Sequence, residues 1–167
     1  MKSDSPNAED RSICYEARNN FICGTDKDRK TVAIDELKKL CAEGKTVVIT
    51  DNYLFSDDKN NQNYVQELTE ILKSLKAREI LCCVPKEKSN TICPQVQTAL
   101  AARQCTLKQK TEMEDWHDRF WFCVESEKAV VFGTSLNGLC KRICRVDELS
   151  SDEVAELKAE LMKCHII

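Results

Sequence analysis

The sequence predicts an α/β domain, a mixed and mostly parallel sheet flanked by helices, and three observations carry that expectation. The stretches KTVVITDNYLF and EILCCVP are apolar and β-branched without polar alternation, as strands covered on both faces should be. Segments with apolar residues at helical spacing separate them, so the order strand, helix, strand, helix, strand implies parallel neighbours joined by right-handed crossovers. WHDRFWFCV and KAVVFG then follow with only a short SE turn between them, which adds a hairpin and makes the sheet mixed.

Residues 1–11 are polar and read as a loose tail, leaving 12–167 as a single domain. SICYEARNNFICG alternates weakly and suggests short strands around Ile13 to Tyr15 and Asn20 to Cys23. From Thr31 to Glu43, apolar Val32, Ile34, Leu37, Leu40 and Cys41 fall near helical spacing, and Gly44 supplies a left-handed stop. The next strand should be central, with Asp51 at its carboxyl end. Val65, Leu68, Ile71, Leu72 and Leu75 mark an amphipathic helix over 64–75. Ile92 to Gln104 reads as another, with Pro94 tolerated in its first turn, before the strand CTLKQK. The chain closes with SSDEVAELKAELMKC: Ser150 and Glu153 have capping-box spacing, and Val154, Leu157, Leu161 and Met162 form the packed face.

A chain of 167 residues, 42% hydrophobic and 32% charged, has room for one ordinary core and is not of disordered composition. With a net charge of −3, no global positive field attracts nucleic acid, and phosphate binding would need a local cluster. No apolar run reaches the roughly 18 residues that span a bilayer, and the start lacks the apolar core of a signal peptide, so a cytoplasmic protein with no transmembrane segment is expected. The 11 cysteines sit mostly in apolar segments such as LCCV and WFCV and include no C-x-x-C pair. That placement suits reduced core thiols and leads us to expect no metal and no cofactor.

The chemistry concentrates in WHDRFWFCVESEKAVVFGTSLNG. If 117–124 is a strand, His117 and Arg119 share a face, and an imidazole beside a fixed guanidinium can attack or protonate a phosphate that the guanidinium holds. Gly133, Thr134, Ser135 and Asn137 follow the hairpin and offer two hydroxyls and an amide to the same oxygens. The bland alternative is a polar strand end followed by a turn chosen for its backbone angles. Asp51 could support the site from the end of its strand. Lys141, Arg142 and Arg145 could extend a positive rim, and Trp116 and Trp121 could stack on bases, although strand aromatics are usually core.

His117 to Asn137 resembles the phospholipase D superfamily, in a variant form whose motif opens His-Asp-Arg. The resemblance implies a phospholipase D-like fold and a metal-independent phosphodiesterase, a hydrolase or nuclease working through a phosphohistidine. In it His117 is the nucleophile, Arg119 binds phosphate where the family has lysine, and Ser135 and Asn137 with Thr134 form the polar group after the glycine. The acidic position falls near Glu125 or Glu127 instead of an aspartate at the usual spacing. The family uses two motif halves and this chain has one, since His165 lies in no motif, so activity implies a homodimer sharing a cleft between two copies of His117. The other expectation is a catalytically degenerate relative that binds phosphate or nucleic acid, or serves as a protein-interaction module.

Overall fold

The computed structural model describes residues 21–22, 25–56, 63–85, 92–111, 116–136 and 144–167. In chain order the elements are β1 (Phe21–Ile22), α1 (Asp26–Lys38), β2 (Thr46–Thr50), α2 (Tyr64–Ser74), β3 (Glu79–Cys83), α3 (Ile92–Ala101), β4 (Thr106–Lys110), β5 (Arg119–Cys123), β6 (Lys128–Phe132), β7 (Cys144–Glu148) and α4 (Ser151–Lys163). The strands form one seven-stranded mixed sheet in the order β1-β7-β6-β5-β2-β3-β4.

The α/β class holds, but the sheet is not mostly parallel. β2–β3 and β3–β4 pair in parallel, whereas β1–β7, β7–β6, β6–β5 and β5–β2 are antiparallel. Much of the difference comes from β7, which has no counterpart in the sequence reading. Three of its five residues, CRVDE, are charged, and only the alternation of buried Cys144 and Val146 marks its inward face. Of the early strands, Phe21–Ile22 forms the edge beside β7, and Ile13 to Tyr15 lies outside the described residues.

Local chemistry sets the helix ends. α1 starts before Thr31 because Thr25 and Asp28 close a capping box, satisfying N–H groups that an apolar pattern cannot reveal. It stops at Lys38, and Cys41, at φ 51°, takes the left-handed conformation ahead of Gly44. The box of Ser150 and Glu153 opens α4 as expected. Met162, expected in the packed face of α4, is instead 56% exposed.

The two faces of the sheet bury different residues. Val47, Ile49, Ile80, Cys82, Trp121 and Val130 pack beneath α1, α2 and α3. Their neighbours Val48, Leu81, Phe122 and Ala129 pack beneath α4 through Val154, Leu157 and Leu161. All five residues of β2 are buried, which is why its sequence shows no polar alternation.

Candidate functional site

β2 is the seam of the sheet, parallel to β3 on one side and antiparallel to β5 on the other. At its carboxyl end the Thr50 hydroxyl donates to the Asp118 carbonyl at 3.1 Å and accepts from the Phe120 N–H at 2.9 Å. The Asn52 amide donates to the Trp116 carbonyl at 3.0 Å. These bonds stitch 116–120 to the end of β2. In the β5–β6 hairpin Arg119 pairs with Phe132, so the turn beginning at Gly133 comes back to the same end of the sheet.

Asp51 ties that turn down. It is 1% exposed and accepts from the Ser135 hydroxyl at 2.8 Å, the Leu136 N–H at 3.0 Å and the Tyr53 N–H at 3.0 Å. Burial pushes its carboxyl above the ordinary range, while the three hydrogen bonds and the Arg119 charge pull the other way. Ser135 is itself buried, with its hydroxyl hydrogen directed at Asp51. As arranged, it fixes the turn and does not donate to an outside phosphate.

His117 precedes β5 instead of lying within it, and its side chain is 96% exposed. Nδ1 is 3.5 Å from Asp118 Oδ1, a long and weak contact that leaves Nε2 for an outside partner. Arg119, the first residue of β5, is half-buried, as is Thr134. Asn137, Lys141 and Arg142 lie outside the described residues.

Several expected members lie elsewhere or are engaged otherwise. Glu125 sits at the opposite end of β2, accepting from the Thr46 N–H at 2.8 Å and from Arg78 at 3.2 Å. Five strand residues at about 3.3 Å each put it about 16 Å from Asp51, too far to support His117. Burial opposes ionisation of Glu125, but the Thr46 hydrogen bonds and the Arg78 charge outweigh it and hold the carboxyl low. Glu127 pairs with Lys158 of α4, and Arg145 with Asp147. Trp121 is buried edge-on to Phe132 at 5.9 Å and cannot stack on a base. Trp116 packs edge-on to Phe120 at 6.0 Å. Among the described residues no group of three or more His, Cys, Asp or Glu could hold a metal ion.

The sequence reading missed Thr50, Asn52 and Asp118. Asp118 is adjacent to His117 and legible in that sense, whereas Thr50 and Asn52 act through a strand pairing that no local pattern announces. No protein-family model and no curated protein matches the chain.

Proposed function

We propose that the protein is a phospholipase D-like phosphodiesterase acting through a phosphohistidine intermediate as a homodimer. The observation that supports this most is that Arg119 and the Gly133–Leu136 turn, the latter pinned by Asp51, lie at the same end of the sheet as the residues leading into β5, His117 among them. Nε2 of one His117 attacks phosphorus, and the bond to the leaving oxygen breaks as the partner subunit's His117 protonates it. Water then attacks the phosphohistidine while the partner subunit's His117 takes up a proton from that water, and the P–N bond breaks, releasing the phosphate monoester and returning both imidazoles to their starting states. Arg119 offsets the charge that develops on the equatorial oxygens. An exposed His117 has room for a second copy to complete the cleft.

One observation favours the second reading, a degenerate relative that binds phosphate or nucleic acid or acts as a protein-interaction module. The Ser135 hydroxyl is committed to Asp51, which leaves the pocket one donor poorer for catalysis. One experiment separates the two readings. The protein and His117→Ala are incubated with single-stranded DNA, RNA and a chromogenic bis-phosphodiester in the presence of chelator. Turnover lost in the variant supports the enzyme. Absence of turnover with thermal stabilisation by inorganic phosphate supports the binder, and absence of both overturns the phosphoryl-site reading.

A further inference from the structure

The two faces of the sheet are unequally covered. Seven strands at about 4.8 Å span about 29 Å. α1, α2 and α3 cover one face, while among the described residues α4 is the one helix on the other and is only about 10 Å across. Among the described residues this leaves, beside α4, a groove of about 410 Å³, floored by Phe120 of β5, Val131 of β6, Leu149 and Leu157. Phe120, Val131 and Leu149 are half-buried, so the floor is apolar surface short of a partner.

The rim is acidic. Asp118 stands at one end, and Glu153, Glu156 and Glu160 run along α4 with helical spacing of three and four, so all three share the groove side. Among the described residues no lysine or arginine lines the groove. Glu153 belongs to the capping box and suits a helix start, but Glu156 and Glu160 are like charges four apart, an arrangement that weakens an isolated helix. Lys163 relieves Glu160 only through an exposed pair at 3.3 Å. A cationic partner would neutralise the row, whereas a second copy would set one acidic helix against another.

We propose that this groove docks a basic amphipathic helix of a partner protein. Its apolar residues at positions i, i+3, i+4 and i+7 seat on Phe120, Val131, Leu149 and Leu157, and its lysines or arginines face Glu153, Glu156, Glu160 and Asp118. The proposal does not depend on phosphodiesterase chemistry, although Asp118 brings the docked helix next to His117.

The test uses the full chain and a synthetic peptide of about 18 residues with leucine on one face and lysine on the other, together with its glutamate-for-lysine counterpart. Calorimetry measures affinity and Trp116 fluorescence reports the location, with Trp116→Phe identifying the signal. The basic peptide is expected to bind with a Kd below about 100 μM, more weakly as salt rises. Reversing the exposed rim in Glu156→Lys with Glu160→Lys should weaken it at least about tenfold, while the equal charge change Asp35→Lys with Glu43→Lys leaves it within about twofold. Absence of binding at about 1 mM, equal weakening in both double variants, or equal binding of the acidic peptide would overturn the proposal. Self-association of the wild type that the rim reversal abolishes would also overturn it, in favour of a second copy.

Discussion

Ser135→Ala removes a hydroxyl from a site 4% exposed, where it donates at 2.8 Å to a carboxyl 1% exposed. A hydrogen bond to a charged group contributes about 1.5–3 kcal/mol, and neither partner can turn to water for a replacement. For a chain of this size each kcal/mol moves Tm by about 2–4 °C, so Ser135→Ala should lower Tm by about 3–12 °C. Asp51→Ala strands the hydroxyl and two backbone N–H groups and should cost about 3–5 kcal/mol. In urea titrations at neutral pH, the cycle closed by the double variant should return a coupling of about 1.5–3 kcal/mol, and a coupling under about 0.5 kcal/mol would refute the reasoning. A pH series adds a second check. Because burial raises the Asp51 carboxyl above 3.8, the part of its contribution tied to the protonated form is full below that value and is lost as pH climbs through the folded-state value, leaving the hydrogen bonds that the carboxylate accepts. Asp51→Asn cannot ionise, so it should gain on the wild type as pH rises above about 4, and a gap that stays constant with pH would contradict the burial argument.

Other substitutions test the remaining features. His117→Ala, at a side chain 96% exposed, should shift Tm by no more than about 1 °C in calorimetry while abolishing any phosphodiester turnover. Ser150→Ala should cost about 1 kcal/mol in urea titration by opening the box at the head of α4. Trp121→Ala should cost about 3–5 kcal/mol, since Trp121 is fully buried against Phe132. Among the described cysteines, exposed Cys41 should alkylate first in native protein at pH 7.5, followed by mass spectrometry, whereas burial pushes the Cys83 thiol up to about 12 and leaves it inert.

Legibility in the sequence follows how local the determining physics is. TVVIT and EILCC declare themselves because a strand buried on both faces shows no alternation of apolar and polar residues through its middle. The capping box of α4 is a four-residue contact and was equally plain. β7 hides because its inward signal rests on Cys144 and Val146 alone, and without it the antiparallel share of the sheet is undercounted. Within the site, the hairpin was readable, and with it the pairing that brings Arg119 beside the turn after β6. The bond between Ser135 and Asp51 was not, because it joins residues 84 apart through two strand pairings. Glu125 was misplaced for a related reason: nearness to His117 in the chain says little when a strand carries the two to opposite ends of the sheet.

The central position of β2 also bears on how the chain matures during synthesis. Its parallel partner β3 and the helix between them leave the ribosome soon after it, but Thr50 and its β5 contact Phe120 are 70 residues apart. At elongation rates of about 5–20 residues per second, one flank of this fully buried strand waits about 4–14 s for its neighbour. A nascent-chain chaperone or the hairpin's prompt closure on arrival would shorten that exposure, and slowing translation between residues 50 and 120 should raise the aggregated fraction more than slowing it after residue 132.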